Sequence, residues 1–146
     1  MTPKSILFVC TANICRSAMA EAMLKHLLAK EGVPGMEVFS RGLIVWDPRP
    51  MAEEAKVCLK AAGIEPGPHE SKLLGEEDVD KADMVLVMTH DHLRVVLTNF
   101  PDAKDKIRLL AASGIEDPVA GSPKDFEKCR IEIQNALQDL LAQLKS

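Results

Sequence analysis

The sequence predicts an α/β protein: one domain, with a four-stranded parallel sheet covered by helices. Three observations carry that prediction. Apolar runs of strand length alternate with segments of helical periodicity from end to end. The run at 84–88 (MVLVM) is apolar at every position, as a strand covered on both faces requires. With 146 residues, 47% hydrophobic and 27% charged, the chain is long enough to bury one sizeable core.

The elements follow in order. Residues 5–9 (SILFV) read as a buried first strand. Residues 18–31 read as a helix with Ala20, Met23, Leu24, Leu27 and Leu28 on one face, stopped by Gly32. Residues 36–40 (MEVFS) form a short second strand. Residues 51–62 place Met51, Ala55, Leu59 and Ala62 at helical spacing, ending at Gly63. The third strand, 84–88, leads into a helix over 90–100, halted before Pro101. Residues 107–110 supply the fourth strand. The last helix starts with Ser122 as cap, Pro123 at its first position and Asp125 completing a capping box. It lines up Phe126, Cys129, Ile133, Leu137, Leu140 and Leu144. No repeat, linker or low-complexity stretch divides the chain, so residues 1–146 are expected to be one domain.

Composition excludes several classes. No apolar stretch reaches membrane-spanning length and the N-terminus lacks a signal-peptide pattern, so the expected location is cytoplasmic, away from membranes. A net charge of −4 with no basic stripe argues against nucleic acid. The four cysteines (Cys10, Cys15, Cys58, Cys129) form no CxxC pair and no zinc-type cluster with histidine. Reduced thiols, no metal and no cofactor are expected.

Residues 10–17 (CTANICRS) carry the chemistry. They sit between the first strand and the first helix, so a cysteine thiol lies under backbone N–H groups at a helix N-terminus. Such a loop holds anions, and the field that suits an anion also suits a thiolate nucleophile. Arg16 adds a planar, always-charged fork for two oxygens of a phosphate. A cysteine, five residues and an arginine alone fit a core cysteine better. Strand before, helix after, Ser17 next to the arginine and Asn13 at the crest turn the reading to phosphoryl transfer through a cysteinyl-phosphate. Residues 11–16 (Thr11, Ala12, Asn13, Ile14, Cys15, Arg16) would cradle the phosphate. In open parallel sheets, ligands bind beyond the carboxyl ends of the strands, where Ser40, Thr89 and the segment 115–122 also fall. Asp117, stiffened by Pro118, is the candidate acid for the leaving oxygen, although Asp-Pro is also a common turn dipeptide.

With CTANICRS near the start and EDPVAGS before the final helix, the chain resembles the low-molecular-weight protein tyrosine phosphatases along nearly its whole length. The resemblance implies a three-layer α/β/α fold and a metal-free protein-tyrosine-phosphatase. It implies Cys10 as nucleophile, Arg16 as phosphate clamp and Asp117 as general acid. Asn13 is similar to the family's left-handed loop asparagine, and Ser17 to the serine that donates to the thiolate. Ser40 and His69 fall where the family places partners of that asparagine. Cys15 matches the second loop cysteine, either a redox partner of Cys10 or a small residue that fits. The implied partners are a phosphoprotein substrate and inorganic phosphate as product and inhibitor, with the protein a monomer.

Two departures stand out. Ala12 replaces the usual glycine and would crowd the loop if that position needs positive φ. Val119 and Ala120 replace the bulky aromatics that often follow Asp-Pro, leaving one wall of the cleft without an aromatic ring. Ile14 resembles the aliphatic loop residue of tyrosine-specific members, and Trp46 falls near their pocket aromatics, or belongs to the core. The segments 88–92 and 117–122 look more like arginine-phosphatase branches. Ile14 weighs most because it would touch the substrate, so phosphotyrosine is the expected substrate, with phosphoarginine the alternative. Arsenate reduction needs relay cysteines that the span 83–100 lacks. A catalytically silent phosphopeptide-binding module would need neither Cys10 nor Asp117.

Overall fold

β1 (Ser5–Cys10) is buried at all six positions and lies inside the sheet, paired in parallel with β2 (Glu37–Gly42) on one side and β3 (Met84–Val87) on the other. β4 (Ile107–Leu109) joins beyond β3, giving the order β2-β1-β3-β4, with all pairs parallel. The structure, a computed structural model, describes residues 3–145.

The pleat sorts the strand side chains into two cores. Ile6, Phe8, Cys10, Leu86 and Met88 face α1 (Arg16–Lys30), α2 (Glu53–Ala61) and α5 (Pro123–Lys145). Leu7, Val9, Val85 and Val87 face the opposite layer, where α3 (Glu76–Lys81) contributes Val79 and α4 (His90–Asn99) contributes Val96. This period-2 division of a strand apolar throughout is the three-layer α/β/α arrangement the sequence implies. Each fully buried large side chain contributes about 1.5–3 kcal/mol through removal from water, and Phe8, Met19, Leu24, Phe126 and Ile133 are among them.

The strand order reverses around β1: the chain passes from β1 to β2 on one side, then crosses to β3 on the other. The carboxyl end of β1 is thus a topological switch point, where open sheets leave a crevice. Cys10 is the last residue of β1 and Arg16 the first of α1. The capping box of the last helix forms as read: Ser122 N donates to Asp125 Oδ2 at 2.8 Å and Asp125 N to Ser122 Oγ at 3.4 Å. The sequence does not predict α3, with Val79 its one buried residue, nor the 3₁₀ turn Pro101–Lys106, which buries none. β2 also runs past Ser40 to Gly42, which pairs with Cys10.

Candidate active site

The loop from Cys10 to Ser17 is organised around one side chain. Asn13 is fully buried with φ +60, the left-handed backbone its residue type tolerates. Its Nδ2 donates to Ser17 Oγ at 2.8 Å and to Ser40 Oγ at 2.9 Å, and its Oδ1 accepts from Lys72 N at 3.0 Å. Its carbonyl accepts from His69 Nε2 at 2.6 Å, which places the proton of that ring on Nε2. Ser40 and His69 are therefore partners of Asn13, as the resemblance implies. Ser40 Oγ donates a hydrogen bond to Glu21 Oε1 at 2.6 Å, and Glu21 also pairs with Lys25.

The Ser17 hydroxyl faces the Cys10 sulfur. Its oxygen already accepts from Asn13, so the O–H is free for Cys10 Sγ, 2.9 Å away. Ser17 N also points at that sulfur at 3.4 Å. Two donors converging on a buried sulfur at a helix N-terminus suit a thiolate. Arg16 is buried; it donates from Nη1 to the carbonyl of Ile115 at 3.0 Å and from Nη2 to Thr11 Oγ1 at 3.5 Å. Its Nη2 also lies 3.5 Å from Asp117 Oδ2. Its Nε is buried and has no partner among the protein groups, a donor waiting for an acceptor beside the loop. Asp117, by contrast, is 46% exposed, with Val119 N donating to its Oδ1 at 3.0 Å.

Ala12 does not strain the loop. Asn13 and Ala120 are the non-glycine residues with positive φ among the described residues, so position 12 makes no demand on glycine. The crowding comes from the other side: a Cβ on Gly42 would stand 2.9 Å from the Thr11 carbonyl oxygen and 3.0 Å from the Ala12 carbonyl carbon. Gly42 lets the end of β2 close against the loop.

Cys15 is buried, and burial above all, with Asp117 and Cys10 adding negative charge, pushes its thiol up to about 12. A thiol that stays protonated is a slow partner for an oxidised Cys10, and the packing suits Cys15 as a small residue beneath the loop. Cys58 and Cys129 are buried free thiols on α2 and α5, as expected. Trp46 is not core: it is 90% exposed. With Thr11, Ala12, Ile14, Ile44 and Val45 it lines a cavity of about 240 Å³ beside the phosphate loop. Val119 lies on the Asp117 side, in a separate cavity of about 160 Å³.

Sequence reasoning missed Glu21, the Lys72 N–H, the Ile115 carbonyl and His92, whose Nε2 sits 2.8 Å from Thr11 Oγ1. The backbone groups have no side-chain signature. The EDPVAGS segment was signal enough for the neighbourhood of Ile115.

Known proteins resemble this chain over nearly its whole length. The family model for low molecular weight phosphotyrosine protein phosphatase matches residues 5–146. A protein-arginine-phosphatase of Geobacillus stearothermophilus is 37% identical over 150 residues, covering 99% of this chain and 98% of the relative. The low molecular weight protein-tyrosine-phosphatase Ptp of Acinetobacter johnsonii is 32% identical over 139 residues, covering 93% and 94%. Among solved structures, a mutant of YwlE from Bacillus subtilis superimposes with a TM-score of 0.91 at 33% identity, covering 97% of this chain and 99% of that one. This chain belongs to the low-molecular-weight phosphotyrosine protein phosphatase family.

Proposed function

We propose that this phosphatase hydrolyses phosphotyrosine in proteins, with Cys10, Arg16 and Asp117 as its catalytic residues. One observation carries the choice of substrate. Ile14 and the exposed Trp46 line the same cavity beside the phosphate loop, with Asp47, Arg49 and Ser71 also at its wall, and the apolar surfaces of the first two suit a phenyl ring. The choice turns on Ile14, whose aliphatic side chain offers a guanidinium nothing, whereas the Trp46 face would stack on a guanidinium as well as on a phenol. The second reading, phosphoarginine, rests on the 37% identity to a protein-arginine-phosphatase.

The reaction has two steps. The Cys10 thiolate attacks phosphorus in line, forming an S–P bond as the P–O bond to the phenol breaks. That electron pair leaves on the phenol oxygen, which takes its proton from Asp117. Arg16 and the loop N–H groups hold the three equatorial oxygens, where the transition-state charge is greatest. Water then gives its proton to Asp117 and attacks phosphorus; the S–P bond breaks, the thiolate returns and inorganic phosphate departs. Arg16 and the loop supply the positive field, so no step calls for a metal ion.

The test compares kcat/KM on a phosphotyrosine peptide and a phosphoarginine peptide, in parallel with Cys10→Ser. Preference for phosphotyrosine is expected, with turnover by Cys10→Ser reduced more than about 10³-fold while vanadate still binds. Preference for phosphoarginine overturns the substrate, and substantial turnover by Cys10→Ser overturns the nucleophile.

A further inference from the structure

His92 closes the segment 88–92, to which the sequence assigns no catalytic role, yet it reaches the phosphate loop at Thr11. It stands in the first turn of α4, where its backbone N–H donates to Thr89 Oγ1 at 3.1 Å. The ring is 6% exposed; its Nε2 is 2.8 Å from Thr11 Oγ1, and its Nδ1 is buried without a partner. Thr11 Oγ1 also accepts from Arg16 Nη2 at 3.5 Å.

The tautomer follows from what each choice leaves unpaired. With the proton on Nδ1, a buried N–H would have no acceptor, the costlier kind of orphan. With the proton on Nε2, the ring donates to Thr11, and only a lone pair on Nδ1 goes unused. Both lone pairs of the Thr11 oxygen are then taken, by His92 and Arg16. Its own O–H proton then points away from both, and Thr11 lines the cavity it shares with Ile14 and Trp46.

We propose that His92 is a positioning residue of the phosphate site: through Thr11 it fixes the outer amino group of Arg16 and turns the Thr11 hydroxyl proton toward the bound ester. The ring must stay neutral to leave Arg16 undisturbed. Burial, with the Arg16 charge adding to it, holds His92 down at about 4, against the weaker opposing effect of Asp91 and Asp117. A leucine would fill the same space without burying an unpaired nitrogen, so core packing alone does not account for the ring.

The inference rests on the phosphatase chemistry above, and the experiment separates the two. For wild type, His92→Leu, His92→Gln, Thr11→Val and the Leu/Val double variant, kcat and KM on a simple aryl phosphate are measured per titrated Cys10 thiol, alongside thermal unfolding. Nitrogen NMR reads the His92 tautomer in the wild type whether or not the protein turns over. A protein inactive on aryl phosphate fails the chemistry; an Nδ1–H tautomer fails this inference. His92→Leu and Thr11→Val are each expected to lower kcat by about 10–10²-fold, the scale of a small misplacement of a catalytic group. KM should stay within about threefold, because the interaction is made chiefly in the transition state. The double variant should lose no more than either single one, and Gln, which keeps a donor near the Nε2 position, should recover most of the loss. Losses that multiply in the double variant overturn the proposal. So does a His92→Gln protein with wild-type melting that recovers nothing. Should His92→Leu fail to fold, the same cycle run with His92→Phe, which also lacks the donor, and the tautomer decide it.

Discussion

The two loops that meet over Cys10 are built on opposite plans. The phosphate loop is tied to distant chain: Asn13 to Ser40 and Lys72, Arg16 to Ile115, Thr11 to His92, with Asn13, Arg16 and Ser17 buried. Apart from the pair of Asp117 with Arg16, the acid loop from Asp117 on is tied to itself: Val119 N to Asp117, Gly121 N to Pro118 O, Ser122 to Asp125, with Asp117 and Val119 half exposed. The cradle must hold charge without reorganising, so its donors are fixed before substrate arrives. Under the proposed mechanism Asp117 must meet leaving groups of various shapes and let phosphate out, and a loop held by local bonds opens at low cost.

The comparison breaks most visibly at Asp117. Asp117→Asn should slow aryl phosphate cleavage by about 10²–10⁴-fold, the range for loss of a general acid. Its stability should change by less than about 1 kcal/mol, since the half-exposed pair with Arg16 is weak. Activity loss below tenfold would move the acid elsewhere, to Glu116 first. Asn13→Ala tests the other plan. It strips partners from Ser17, Ser40 and the Lys72 N–H and puts alanine at φ +60. Stability should fall by about 3 kcal/mol or more, read from urea unfolding, with turnover falling in step. A variant of wild-type stability would show that the cradle is not the rigid partner.

The same contrast explains what could be read in the chain. Local signals carried the site as far as they reach: Cys10, Asn13, Arg16 and Ser17 lie within one turn and its helix start, and Asp117 stands in its own turn. The strands were legible because a sheet covered on both faces leaves continuous apolar runs. Three things were not. β2 extends to Gly42 because that glycine can approach the Thr11 and Ala12 backbone, whereas in sequence a glycine at a strand end reads as a stop. α3 offers one apolar residue, Val79, and so no periodicity. His92 and Thr11 are separated by 81 residues, and only the topology that sets β3 beside β1 joins them.

His92 gives the comparison a pH dependence. The folded ring titrates at about 4, below the ordinary 6.5, so the unfolded chain takes up the proton first as pH falls. Stability should therefore be fully present above pH 6.5 and decline between 6.5 and 4. Urea midpoints over that window should fall more steeply for the wild type than for His92→Gln. Parallel curves would mean that the ring is no harder to charge folded than unfolded.

The smallest effect expected lies in the acid loop. Ala120 has φ +66, where its Cβ crowds the backbone at a cost of about 1–2 kcal/mol that glycine escapes. Ala120→Gly removes the strain but frees the unfolded chain, offsetting about 0.4–1 kcal/mol of the gain. A net stabilisation of about 0.5 kcal/mol is expected, visible as a small rise in the urea midpoint. The strain is bearable because the neighbouring turn leaves little choice: Gly121 N donates to Pro118 O at 2.8 Å, and a Cβ at Gly121 would lie 2.7 Å from that oxygen. The turn that aims Asp117 is thus closed by position 121 and strained by position 120. A variant less stable than wild type would mean that the alanine methyl packs more than it strains, and that the acid loop is held more firmly than its local bonds suggest.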